Sequence, residues 1–81
     1  MEKTVDQIIA EVFEMDATNV SDELTPESID RWDSLNHFRL VTALEQAYNI
    51  RLSMGEIQSL ESVGRIREVV DQRAGERAAS A

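Results

Sequence analysis

The sequence predicts an all-α fold: a small bundle of three main helices plus one short helix, with a long loop between helices 1 and 2. Three observations lead there. Apolar residues recur at helical spacing in separate stretches, no useful run alternates with the period of a strand, and Ser or Thr stands three residues before Glu or Gln at two helix starts. At 81 residues the chain makes one small domain; with no cysteine and one histidine, neither a disulfide nor a usual zinc site can brace it. Packed aliphatic side chains must supply the core.

The first helix is predicted from about Val5 to Met15. Val5, Ile8, Ile9, Val12 and Phe13 form its i, i+3, i+4, i+7, i+8 stripe, and Thr4 with Gln7 has capping-box spacing. Residues 16–32 lack a sustained period and are rich in turn and cap formers, among them Asp16, Thr18, Asn19, Ser21, Asp22, Thr25, Pro26, Ser28 and Asp30. Val20, Leu24, Ile29 and Trp32 are spaced to pin this loop onto the helices. Long ordered loops in small domains often carry function.

A second helix is predicted over Ser34 to Tyr48. Leu35, Phe38, Val41, Leu44 and Tyr48 are its expected core face, with Leu40 and Ala47 widening it. Asp33 is the expected N-cap and Asn49 the left-handed C-terminal residue. Ile50 and Leu52 read as buried points in a short connection. Ser53-Met54-Gly55-Glu56 opens a short third helix with Ile57 and Leu60, and Ser62 caps a last helix carrying Val63, Ile66, Val69 and Val70. Met15 and Met54 read as gap-filling core or rim residues. The bundle is assigned to residues 1–72, and 73–81 to a polar, frayed C-terminal tail.

The net charge of −8 is unevenly placed. Residues 1–33 hold ten acids against Lys3 and Arg31, whereas residues 34–81 balance six acids with six arginines. An acidic half argues against nucleic acid and anionic membranes, which demand basic patches, and favours basic protein surfaces; it also aids solubility. The sequence shows neither a signal-peptide core nor an apolar run long enough to span a bilayer, so a soluble, cytoplasmic protein is expected.

The segment that carries chemistry is Trp32-Asp33-Ser34-Leu35-Asn36-His37. It places one serine hydroxyl where an acidic loop becomes a helix, at the positive end of the helix dipole. Such a serine is a poor nucleophile without a base, but a good place for another enzyme to attach a phosphate-bearing group. A plain helix N-terminus also favours Asp and Ser; what adds weight is the position of Asp-Ser-Leu, mid-chain, after the acidic loop, opening the second of four helices. His37 lies one turn past Ser34 and invites a Ser–His catalytic pair. Asp33 adjoins the serine and cannot easily orient the far histidine nitrogen, and no oxyanion hole is evident, so no catalysis is expected and His37 reads as a surface histidine. Trp32 reads as a loop anchor, or else as part of a docking surface. Asp16 to Glu27 has the length of a calcium loop, but Val20 stands where oxygen is needed and Ser21 replaces the turn glycine, so no metal is expected.

With these residues in view, the chain resembles the acyl carrier proteins over roughly residues 4–70. The resemblance rests on Val5…Ile8-Ile9…Val12-Phe13, Asp33-Ser34-Leu35, Leu40-Val41-Thr42-Ala43-Leu44-Glu45, Ile50-Arg51-Leu52, Glu56-Ile57 and Ser62-Val63…Ile66. It implies that Ser34 receives a covalent 4′-phosphopantetheine arm from coenzyme A, by a phosphopantetheinyl transferase that brings its own magnesium. It implies a monomeric, non-enzymatic carrier that tethers acyl or related intermediates as thioesters and presents them to loading and processing enzymes, as in fatty acid or polyketide biosynthesis. Asp33, Leu35, Asn36, Arg39 and Glu45 are the expected partner-recognition residues, with Thr42 beside them.

The departures from the family pattern matter too. Arg31-Trp32 occupies a stretch where many fatty-acid carriers have glycine, and Asn36, Arg39 and Gln46-Ala47 stand where acids are common on the second helix. A specialised carrier is therefore expected, not the housekeeping fatty-acid one. The competing readings are an acidic helical adaptor without a prosthetic group and a small hydrolase using Ser34 and His37.

Overall fold

α1 spans Val5–Phe13. The computed structural model describes residues 4–80, with the side chains of residues 4–74. The predicted capping box forms in full: the Gln7 N–H donates to Thr4 Oγ1 at 3.1 Å, and the Thr4 N–H donates to Gln7 Oε1 at 2.9 Å. The helix stops short of Met15 because Glu14 turns left-handed at φ 53°, after which the Glu14 and Met15 amides both donate to the Ala10 carbonyl. Ile8, Ile9 and Phe13 are buried, and the helix packs on α2 (Ser34–Tyr48).

The connecting loop contains a 3-10 turn, Ala17–Asn19, too short to leave a periodic signal. The Asp16 carboxylate accepts from the Thr18 N–H at 3.0 Å and from its hydroxyl at 2.9 Å, and these bonds hold the Asp16 carboxyl below its ordinary value. Val20, Ile29 and Trp32 are buried as expected, and Leu24 packs partly against the same core.

α4 (Val63–Ser80) anchors the loop from the other side. The Val63 N–H donates to the Leu24 carbonyl at 2.9 Å, and the Gly64 N–H to the Asp22 carbonyl at 3.1 Å. The approach is close enough that a Cβ on Gly64 would meet Asp22 O and Cβ at 3.3 Å. Arg67 then reaches both Asp6 of α1, at 2.6 Å, and Asp22 of the loop, at 2.7 Å, so one guanidinium joins three segments. Ser62 caps α4 through its hydroxyl, which accepts from the Arg65 N–H at 3.1 Å. Val63, Ile66, Val69 and Val70 are its buried stripe. The helix continues as helical backbone through Ser80, across most of the segment expected to be a frayed tail.

The core face of α2 differs from the expected one. Leu40, Val41 and Leu44 are buried, but Phe38 is 53% exposed and Leu35 61% exposed. The helix carries apolar residues on two arcs, and successive residues advance by about 100° around its axis. Leu40 lies on the far side of Val41 from Phe38, so burying Leu40 fully turns Phe38 and Leu35 outward. Asn49 ends the helix in the left-handed region at φ 53°, as predicted.

α3 is the short helix Met54–Gln58. Its capping box also forms: the Glu56 N–H donates to Ser53 Oγ at 3.1 Å and the Ser53 N–H to Glu56 Oε1 at 2.9 Å. Leu52 and Leu60 are buried on either side of it. Met54 is 61% exposed, outside the core, because it takes the first helical position, facing away from the bundle; Met15 does pack partly against the core. Among the described residues no helix is long and apolar enough to cross a membrane.

Glu56 does a second job. Arg73 of α4 clamps its carboxylate with two bonds, Nε to Oε2 at 2.8 Å and Nη2 to Oε1 at 2.6 Å. The Arg73 hydrogen bonds, followed by the Ser53 amide, lower the Glu56 carboxyl from 4.5 to about 2. The folded protein therefore keeps this charge after the unfolded chain has taken up a proton. The stabilisation is full above pH 4.5 and is lost as pH falls toward about 2. Solvent reaches Arg73 and screens the pair, which leaves about 1–2 kcal/mol. Glu56→Gln should remove that contribution at neutral pH and flatten the acid limb of a urea-derived stability–pH curve. An acid limb as steep as that of the unchanged protein would refute the assignment.

Candidate functional site

The site is built where the loop enters α2. Asp33 is the N-cap: its backbone is extended, and its Oδ1 accepts from the Asn36 N–H at 2.9 Å. Asn36 turns its own side chain back, Nδ2 donating to the Arg31 carbonyl at 2.6 Å. Arg31 reaches Glu14 at 2.7 Å and ties this end of the loop to the end of α1. These bonds set the backbone direction on both sides of Ser34.

Trp32 fixes the site in depth. It is buried at 5% exposure, and its indole stacks on Phe13 of α1 with ring centroids 5.2 Å apart. The indole Nε1–H donates to His37 Nδ1 at 2.9 Å. His37 Nε2 lies 2.8 Å from the Ile57 carbonyl, and since a carbonyl only accepts, the ring carries its proton on Nε2. A chain of two hydrogen bonds thus runs from loop to α2 to α3. His37 is half-buried in the fold and is not the surface histidine expected from sequence. Both of its nitrogens are committed, so no lone pair remains to take a proton from Ser34, and a Ser–His pair cannot operate in this geometry.

Ser34 stands at the first position of α2, exposed, and its hydroxyl has no hydrogen-bond partner among the described residues. Beside it lies an open groove of about 480 Å³ bordered by Pro26, Trp32, Asp33, His37, Phe38 and Leu60. The surroundings are acidic, with Asp33 and Glu61 on the groove wall. No cluster of three His, Cys, Asp or Glu side chains suited to a metal occurs among the described residues.

The fold and the site match a known structure. A solution structure of the holo acyl carrier protein from Geobacter metallireducens has a TM-score of 0.85 with this chain and 32% sequence identity, over 95% of this chain and 88% of that one. The chain belongs to the acyl carrier protein family. Neither a family model nor a curated protein matches it. Its all-helical architecture is the small bundle of that family.

Within this acyl carrier fold the residues expected to meet partners sit in different settings. Leu35 and Arg39 are exposed. Asp33 is exposed but its carboxylate caps α2, and half-buried Asn36 is held to Arg31. Glu45 is half-buried, with Oε2 accepting from the Leu52 N–H at 2.9 Å in the connection between α2 and α3. Thr42 is exposed, with its hydroxyl donating to the Phe38 carbonyl at 3.0 Å. Phe38, assigned to the core from sequence, instead lies on the outer face beside Leu35 and contacts His37 edge-on at 6.3 Å. The signal that could have found it was Leu40, whose full burial is incompatible with burying Phe38 as well.

His37→Phe keeps a flat ring but leaves the Trp32 indole N–H and the Ile57 carbonyl unpaired. It should cost about 1–3 kcal/mol in urea denaturation, while Ser34→Ala stays within about 0.5 kcal/mol of the unchanged chain. Equal stabilities for the two variants would show that the His37 bonds carry no weight.

Proposed function

We propose that this acyl carrier protein bears its 4′-phosphopantetheine on Ser34 and presents acyl, or chemically related, intermediates to partner enzymes. The observation that carries the reading is the free Ser34 hydroxyl at the first turn of α2 in a fold of this family. The residues present fit the group. An exposed Oγ without a partner leaves room for an incoming enzyme, and the adjoining groove can accommodate the first part of a flexible arm.

When bound, the arm supplies a terminal thiol that holds cargo as a thioester. The chain's own contribution is placement. Trp32 and His37 hold the first turn of α2 against α1 and α3, so the Ser34 Oγ is offered from a rigid element. The Ser34 oxygen requires a base to lose its proton, and since His37 is committed, that base must come from the modifying phosphopantetheinyl transferase. After modification the phosphodiester sits at the N-terminus of α2, where the helix dipole favours an anion and Asp33 opposes it. A tether raises the effective concentration of cargo at each partner, so small, rapidly released interfaces suffice.

We also propose that the carrier is specialised. On α2 the charged residues are Arg39 and Glu45, and Glu45 is turned to the Leu52 amide, so the outer face lacks the acids with which basic docking surfaces pair. Its cytoplasmic location, monomeric state and enzyme partners belong to the same reading, as does the assignment of residues 1–72 to the carrier unit.

Incubation with coenzyme A, magnesium and a broad-specificity phosphopantetheinyl transferase should add one phosphopantetheine mass to the protein and none to Ser34→Ala. An unchanged mass for the parent chain would overturn the reading in favour of an adaptor without a prosthetic group. In a strain depleted of its fatty-acid carrier, expression of this chain should fail to restore growth. Full rescue would refute the specialisation and leave the attachment site untouched.

A further inference from the structure

The outer face of α2 combines two features seldom needed by the fold itself. Leu35 and Phe38 are among the most exposed large apolar side chains described, and neither contributes to the buried core. Together with Thr42, Ala43 and Gln46 they border an open groove of about 350 Å³, and the charged residue in its wall is Arg39. No acid lines this groove.

Arg39 is also uncommitted. Arg31, Arg65, Arg67 and Arg73 each pair with a carboxylate, to Glu14, Glu68, Asp6 with Asp22, and Glu56 respectively. Arg39 and Arg51 have no ion pair among the described residues, although the chain as a whole carries a net charge of −8, and of the two it is Arg39 that borders the apolar groove on α2. An acid-rich chain has many carboxylates from which to satisfy an arginine, and here none does so. Arg39 therefore stands at the edge of an apolar patch, opposite in sign to the net charge of the molecule.

We propose that this face docks a protein partner that presents an apolar ridge to Leu35 and Phe38 and a carboxylate to Arg39. The proposal deepens the carrier reading, on which its biological sense rests, by naming the chemistry of the partner at the face next to Ser34. The apolar contact supplies affinity, and the Arg39–carboxylate pair supplies register and selects against partners whose docking ridge carries lysine or arginine at that point. The partner's carboxylate is a local feature. The acidic half of this chain repels a partner that is acidic overall, so the docking surface combines one acid at the ridge with a neutral or basic periphery.

Two amphipathic helical peptides of identical composition and zero net charge provide the probe. They share one apolar face and differ in whether glutamate or lysine flanks it. Amide chemical shifts are followed in the full-length chain and in Ser34→Ala, which cannot be modified. The glutamate-flanked isomer should perturb the amides of Leu35, Phe38, Arg39 and Thr42 and bind about 3–10-fold more tightly than its isomer, and Arg39→Glu should invert that order. Equal affinities, a preference for lysine, an order unaffected by Arg39→Glu, or no perturbation of this face would overturn the proposal. So would shifts at these amides on diluting the protein alone, which would show that a second copy covers the face. Because Ser34→Ala gives the same readout, failure here leaves the attachment at Ser34 standing. A bare serine in the modification experiment would conversely leave the docking preference intact.

Discussion

The Trp32 indole is the constraint on which the rest of the site depends. A chain with no disulfide must hold a long acidic loop against its helices by burial and hydrogen bonding alone. Trp32 does so at the last opportunity before α2 begins: one face lies on Phe13, and the ring nitrogen is spent on His37. His37 in turn holds the Ile57 carbonyl of α3. The first turn of α2 is thereby referenced to both α1 and α3, and the serine that follows is presented from a fixed platform. The same bonds remove the one imidazole that could have made the serine self-activating. Rigidity at this corner and chemical inertness of the hydroxyl have a common origin.

The charge distribution divides the molecule by role. Three of the arginines are consumed in joining segments: Arg67 bridges α1, the loop and α4, Arg73 clamps α3 to α4, and Arg31 ties the loop to the end of α1. Each offsets part of the self-repulsion that an acidic chain carries into the folded state. α2 is treated differently. Its acid, Glu45, is directed inward to a backbone amide, and its base, Arg39, is left outside. The helix next to the serine thus presents an apolar, weakly cationic surface on an otherwise acidic protein.

Much of the fold was legible in the chain. Both capping boxes, the Asp33 cap and the left-handed Asn49 follow from residue chemistry within a few positions, and the sequence spacing identifies them correctly. Loop anchors at Val20, Ile29 and Trp32 were also readable, since isolated large apolar residues in a polar stretch have few other uses. Three features were not. The rotation of α2 depends on which of two apolar arcs packs on α1, a tertiary choice that the periodicity of one helix does not decide. The commitments of His37 and Glu45 depend on a carbonyl and an amide far along the chain, and any residue type can offer those. The reach of α4 through Ser80 depends on backbone continuation in a segment whose composition carries little apolar signal.

Trp32 is the only tryptophan in the chain, and it stands two residues from Ser34. Indole emission responds to hydrogen bonding at the ring nitrogen and to local polarity, and this indole has one defined acceptor, His37, and two stacked neighbours, Phe13 and His37. The protein thus contains an intrinsic fluorophore at the mouth of its own groove, with no second tryptophan to obscure the signal. Occupancy of that corner is readable optically in the unlabelled protein and in real time.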